Sequence, residues 1–95
     1  MLESALQKKI IDHLTKEKWF VLKIIAANKN GVPDLMAIKN GQTIFIEVKQ
    51  KGKKVIKGGL QEYRIKELNS FGVLAFQADS LEVVVRNLEE FKKTL

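Results

Sequence analysis

Two acidic residues near the centre of the chain are spaced to bind a metal ion. Asp34 and Glu47 lie on either side of Asn40 and Gly41, a dipeptide that strongly predicts a two-residue hairpin turn. A loop of those two residues sets the strand register so that the acids face each other, with Cβ atoms roughly 4.5–5.5 Å apart. Like charges there are destabilising unless a cation lies between them. The pair therefore predicts a metal-dependent enzyme.

Strand alternation adds a lysine to the same face. Side chains point to opposite faces in turn, so Lys49 lies on the face of Glu47, whereas Ile44, Ile46 and Val48 lie on the other. One face of this strand is thus apolar, and the other carries the charged residues that could take part in catalysis. The alternative is an ordinary solvated strand face with an ion pair worth typically under ~1 kcal/mol.

Length and composition predict one intracellular domain spanning residues 1–95. Seventeen Lys and Arg residues against eleven Asp and Glu residues give a formal charge of +6, a balance that favours nucleic acid as a partner. The absence of cysteine favours a reducing, cytoplasmic compartment. Polar residues from Glu3 to Lys9 interrupt any apolar run, so neither a signal peptide nor contact with a membrane is expected.

Hydrophobic periodicity predicts seven elements in the order αβββαβα. They are a helix over 2–16, strands over 19–25, 35–39 and 43–49, a helix from Gln61 towards Gly72, a strand over 73–78 and a last helix capped by Asp79 or Ser80. The segment 50–59 is predicted to be a loop. The hairpin is antiparallel, and the helical crossover favours a parallel third pairing. The fold class is therefore α/β, with a mixed four-stranded sheet flanked by helices.

The polar residues form a recognisable pattern along this order. They are Gly31-Val32-Pro33-Asp34, then Glu47-Val48-Lys49, then Gln61. In this pattern the chain resembles the VRR-NUC branch of the PD-(D/E)xK nucleases, in particular its small standalone, virus-type members. The resemblance covers nearly the whole chain, from Glu3 to Gly72, and implies a restriction-endonuclease-like core. Gly31 itself is read as structural, for positive φ or a close backbone approach.

The resemblance implies a metal site. Asp34, Glu47 and the Val48 carbonyl would be ligands of Mg²⁺, with Mn²⁺ able to substitute, and hard cations do prefer such oxygen donors. Glu3 matches the acid of the family's first helix and would hold a water or a second ion. A metal bound there can polarise a phosphate and lower the pKa of a water.

Two further residues receive catalytic roles from the resemblance. Lys49 would orient or deprotonate the attacking water, or stabilise charge on the phosphate, and the sequence leaves these three roles open. Gln61 matches a helix-borne glutamine of the family and interrupts an apolar stripe where leucine would be expected. Its amide is expected to reach Lys49 or the water beside it.

The resemblance implies Mg²⁺-dependent hydrolysis of branched DNA, with a four-way (Holliday) junction as the leading substrate. A nonspecific or restriction-type nuclease and a catalytically silent DNA-binding module are the alternatives. We expect contacts with the DNA backbone from four lysines, which are Lys51, Lys53, Lys54 and Lys57. The alternative is that these lysines form an ordinary solvated loop. A twofold homodimer would supply both incisions. The apolar residues expected near the surface of the single chain, where they could form the interface, are Trp19, Phe20 and Phe76.

Overall fold

The computed structural model describes residues 2–93 and confirms the predicted order of elements. These are α1 (Glu3–Lys16), β1 (Phe20–Lys23), β2 (Leu35–Lys39), β3 (Gln42–Val48), α2 (Leu60–Ser70), β4 (Leu74–Ala78) and α3 (Leu81–Lys93). Residues 1, 94 and 95 of the predicted domain lie outside the described part of the chain. Within residues 2–93, no helix is both long enough and apolar enough to cross a membrane.

The strands form one mixed sheet in the order β1-β2-β3-β4. β2 is antiparallel to β1 and β3, whereas β3 and β4 are parallel. Asn40 and Gly41 have φ values of 52° and 78°, as a type I′ turn requires. This turn sets the predicted register as far as the pair of Leu35 and Ile46. β1 is shorter than the predicted 19–25.

One face of the sheet is buried beneath α1 and α3. The core includes Leu6, Ile10 and Leu14 of α1, Ile44, Ile46 and Val48 of β3, and Val84 and Leu88 of α3. α2 packs on the opposite face, against β4, where the Asn69 side chain makes hydrogen bonds of 3.1 and 2.8 Å with the backbone of Ala75. The helices therefore cover one face broadly and the other only at its β4 edge.

Two aromatic residues expected near the surface are instead part of the core. Trp19 and Phe76 are 7% and 8% exposed, and of the three expected residues only Phe20, at 62%, lies on the surface. The Trp19 N–H bonds the Leu14 carbonyl at 3.0 Å, which turns the chain back so that the indole packs beneath the sheet. Phe76 pairs with Ile46 on β3 and shares its buried face. The prediction that Trp19 and Phe76 are exposed is therefore wrong.

The opposite surroundings of Trp19 and Phe71 provide a stability test. Trp19 is buried in the core, whereas Phe71, just after α2, is 81% exposed. We expect Trp19→Ala to lower the free energy of unfolding by about 3–5 kcal/mol, because it leaves a cavity. Phe71→Ala should change it by less than about 0.5 kcal/mol. Urea unfolding measures both, and equal losses would contradict the burial of Trp19.

Candidate active site

Asp34 and Glu47 lie at the open end of the β2–β3 hairpin. The last pair of the ladder is Leu35 with Ile46, and the next residue on each strand is an acid. Asp34 also accepts, through Oδ2, a hydrogen bond of 2.8 Å from the Val48 N–H. Its side chain thus continues the ladder where the backbone pairing stops, and this contact holds Asp34 beside Glu47.

Pro33 leaves the Val48 carbonyl without its usual partner. If the register of β2 and β3 is continued two residues past its last pair, Pro33 comes opposite Val48, and two residues of a hydrogen-bonded antiparallel pair exchange both N–H···O bonds. The Val48 N–H points towards β2, because it bonds Asp34, and its carbonyl points to the same side. Pro33 has no N–H to donate. The Val48 carbonyl oxygen is therefore available as a ligand on the side of Asp34.

Glu47 is the only buried charged side chain among the described residues, with 3% exposed. Its Oε2 accepts a 3.0 Å hydrogen bond from Gln61 Nε2 and lies 3.5 Å from Lys49 Nζ. Gln61 thus reaches the acid itself, whereas Lys49 or a water was the expected partner. Oε1 of Glu47 is buried with no hydrogen-bond partner in residues 2–93. Such an oxygen is costly to bury, and a cation would satisfy it.

Burial and neighbouring charges raise the pKa of Glu47 from 4.5 to about 7. Burial is the largest cause, because it disfavours the charged form. The Asp34 carboxylate and, more weakly, that of Glu3 raise the pKa further, whereas the Lys49 ammonium opposes them. At neutral pH a large fraction of Glu47 therefore carries a proton, which a bound cation would displace.

α2 holds the segment that leads into Asp34. Gly31 has a φ of 78°, and a Cβ there would lie 2.6 Å from Cγ of Leu60, so glycine meets both predicted structural needs. Arg64 donates through Nε to the Asn30 carbonyl at 2.8 Å. The sequence pattern does not reveal Arg64, because its partner is a backbone group that only the fold brings near.

The donor set fits a hard divalent cation. Asp34, Glu47 and Val48 offer two carboxylates and a carbonyl, and Mg²⁺ typically uses one or two carboxylates while keeping several waters. Within residues 2–93 no three acidic, histidine or cysteine side chains are grouped closely enough to hold a metal. Glu3 acts on Glu47 electrostatically without completing such a group. The arrangement suits an ion that retains water and accepts substrate oxygens.

The predicted DNA-contacting lysines lie on residues 50–59, which we call the lysine loop. This segment contains no helix or strand, as predicted. Its exposed lysines are Lys51, Lys53, Lys54 and Lys57. Lys49, which precedes the loop, is only 21% exposed because it points towards Glu47. The fold therefore separates one lysine at the acids from four on the adjoining surface.

Comparison with known proteins relates this geometry to nucleases. The family model described as archaeal Holliday junction resolvase (Hjc) matches residues 4–90. A phage protein, p44 of Acyrthosiphon pisum secondary endosymbiont phage 1, whose name gives it as a nuclease, is 32% identical over 62 residues, covering 64% of this chain and 67% of p44. A solved VRR_NUC domain superposes with a TM-score of 0.78 at 24% identity, covering 92% and 94% of the two chains. The predicted nuclease fold is confirmed.

The raised pKa of Glu47 gives a stability prediction with a definite sign. Because the folded-state pKa is raised, the stabilisation by protonated Glu47 is complete below pH 4.5 and is lost as pH rises through about 7, by up to roughly 3 kcal/mol. Glu47→Gln keeps a neutral side chain at every pH. In chelator, the free energy of unfolding of this variant should therefore exceed that of wild type by an amount that grows from about pH 5 to about pH 8. Denaturant unfolding measures it.

The matched control is Glu90→Gln, which makes the same change at an exposed position on α3. It should follow the wild-type pH dependence. A Glu47→Gln variant whose stability runs parallel to wild type across this range would contradict the burial of an ionisable Glu47.

Proposed function

We propose that this chain, which belongs to the archaeal Holliday junction resolvase (Hjc) family, is a Mg²⁺-dependent endonuclease. It would hydrolyse phosphodiester bonds in branched DNA. The observation that carries the proposal is the buried Glu47 with one unpartnered oxygen, beside Asp34 and Lys49. Most buried polar atoms of side chains have a hydrogen-bond partner, so an unpartnered oxygen favours an ion site over a purely structural ion pair. The proposed substrate is the four-way junction, and residues 1–95 are proposed to form the catalytic domain. The proposed location is the cytoplasm of a bacterium or of a virus-infected cell.

The metal ligands in this proposal are Asp34, Glu47 and the Val48 carbonyl. Mn²⁺ is expected to substitute for Mg²⁺, because both take carboxylate, carbonyl and water oxygens. A cation held there would polarise the scissile phosphate and lower the pKa of the attacking water. Glu3 is near enough to raise the pKa of Glu47, and we assign it the binding of a water or a second ion.

Lys49 and Gln61 act on the reacting groups from one side of Glu47. Both contact Oε2, so the carboxylate is oriented with Oε1 free for the ion. The Lys49 ammonium is proposed to orient or deprotonate the attacking water, or to stabilise the charge that develops on the phosphate. Gln61 supplies a neutral donor, which holds the carboxylate whether or not Lys49 is engaged elsewhere.

The lysine loop is proposed to bind the DNA backbone. Its lysines at 51, 53, 54 and 57 are exposed, and the loop begins directly after Lys49. Cationic side chains release counterions when they neutralise phosphates, so binding through them is weakened by salt and independent of base sequence. Such contacts would bring the substrate to the metal site without selecting a sequence.

We further propose that two chains form a twofold dimer through an apolar patch on the sheet. The outer patch consists of Phe20, Leu22, Met36, Ile38 and Phe45, which share one face in the register of β1, β2 and β3. Phe20 and Leu22 are 62% and 44% exposed, and α2 packs at the opposite, β4 edge. Resolving a junction takes two incisions in symmetry-related strands, and a C₂ dimer brings two sites. Exposed apolar patches often mark interfaces.

Cleavage of a panel of DNAs tests the proposed function. With Mg²⁺ the wild type should cut an end-labelled four-way junction faster than flapped, forked or linear DNA, and chelator should stop it. Asp34→Asn should abolish cleavage but keep DNA binding. Lys49→Ala should lower turnover by about 10²–10³-fold with little loss of affinity, because it acts at the reacting phosphate.

The control is Asp12→Asn, at an exposed α1 acid paired with Lys8, which should cut normally. Equal rates on linear duplex would indicate a nonspecific or restriction-type nuclease. Binding without cleavage under all metal conditions would indicate a silent DNA-binding module.

Disruption of the outer patch tests the dimer. Light scattering at micromolar concentration should give about twice the 10.8 kDa chain mass. Phe20→Glu should give the single-chain mass with the fold retained, because the side chain is exposed and the charge would be buried only in the dimer. Phe71→Glu, equally a change of an exposed phenylalanine, should leave the dimer intact. A wild type that is monomeric alone and on junctions would refute the dimer and leave the nuclease proposal standing.

A further inference from the structure

Gln77 of β4 tethers the lysine loop to the sheet. Its Oε1 accepts a hydrogen bond of 2.7 Å from the N–H of Val55, in the middle of the loop. The other bonds within the loop are local, such as that from the Lys53 N–H to the Gln50 carbonyl at 2.9 Å. Within residues 2–93, the bond to Gln77 is the only hydrogen bond that joins residues 50–57 to a strand.

Gln77 lies directly beside the acid site. The parallel register pairs it with Glu47, so both side chains lie on the same face of the sheet. Neighbouring strands are roughly 4.8 Å apart. The tether therefore attaches the middle of the loop to the residue of β4 that is paired with Glu47.

The tethered loop lines one side of an open pocket of about 170 Å³. Its lining residues are Lys53, Lys54, Gln77, Asp79 and Val83. Two adjacent lysines thus meet at one place, with a carboxylate from the end of β4 among them. The lysines are otherwise exposed, so the loop presents their positive charge beside the C-terminal end of β4.

The composition of this loop opposes its ordering. Like charges along a short segment repel, and each ordered residue loses conformational entropy. Lysines on an unrestrained loop would attract DNA without a fixed position. The bond from Val55 to Gln77 counters both effects at the one residue of the loop's centre that is partly buried.

We propose that Gln77 is a positioning residue for DNA binding, and that its hydrogen bond to Val55 fixes Lys53 and Lys54 where they contact the DNA backbone beside the scissile phosphate. This inference rests on the proposed function for the identity of the substrate. Gln77 touches neither the DNA nor the reacting atoms, and it acts through the loop.

Three variants test the tether. Gln77→Met is close to glutamine in volume but lacks the carbonyl acceptor, whereas Gln77→Glu keeps an acceptor for Val55. Gln42→Met makes the same change at the far end of β3, where the side chain makes no hydrogen bond within residues 2–93. Amide hydrogen exchange at Val55 reports the tether. Affinity for a four-way junction, measured by fluorescence anisotropy in chelator across a salt series, reports DNA binding.

Gln77→Met should speed amide exchange at Val55. It should weaken junction binding by about fivefold, the loss expected for one neutral hydrogen bond. It should also make the salt dependence of binding shallower, by up to about 0.9 log units per lost phosphate contact. Gln77→Glu should restore slow exchange at Val55. Gln42→Met should match the wild type in both measurements.

Either of two results would overturn the inference. One is unchanged exchange at Val55 in Gln77→Met, and the other is faster exchange with unaltered affinity and salt slope. Because binding is measured in chelator, the test does not require hydrolysis. A wild type that binds junctions and never cuts them would refute the nuclease proposal, while the effect of Gln77→Met on binding would still support the tether.

Discussion

Two carboxylates that face each other across a pair of strands repel, and the surroundings of Asp34 and Glu47 are arranged around that repulsion. Asp34 receives a hydrogen bond from the backbone N–H of Val48. Glu47 is buried, and its pKa rises to about 7. A proton on Glu47 would relieve the repulsion in the metal-free pair, and a divalent cation could take the place of that proton. Opposed like charges are destabilising, and a bound cation would offset their repulsion.

α2 turns this strand end into a defined site. Gln61 at its start holds Glu47, and one turn later Arg64 holds the Asn30 carbonyl ahead of Asp34. A single rigid helix thus fixes the approach to both acids, which lie on different strands. Gly31 allows the close contact, because any side chain there would meet Leu60. The position of each acid then depends on packing as well as on strand register.

The two faces of the sheet carry different groups of residues. The inner face carries the core beneath α1 and α3, and its aliphatic side chains are nearly all buried. The outer face carries the acids, α2 and the outer patch. In the proposed function, substrate, metal and second chain would therefore meet on one side of the molecule. The tether at Gln77 adds the lysine loop to that side.

Local chemistry determined much of this protein from the sequence alone. The Asn40 and Gly41 turn fixes register through backbone sterics, so the opposition of Asp34 and Glu47 could be predicted without tertiary information. The order of elements followed from hydrophobic periodicity, and the inward face of α3 from the spacing of Val84 and Leu88. Each of these features depends on residues close together in the chain.

Only the tertiary structure decided which groups those elements meet. The burial of Trp19, which the sequence did not predict, depends on how the chain turns back beneath the sheet. The contacts of Arg64 and Gln77 are to backbone groups, which carry no side-chain signal in the sequence. The raised pKa of Glu47 arises mainly from burial. Burial and long-range backbone contacts are properties of the assembled fold, because they depend on what packs around a residue, and so its sequence neighbours do not encode them.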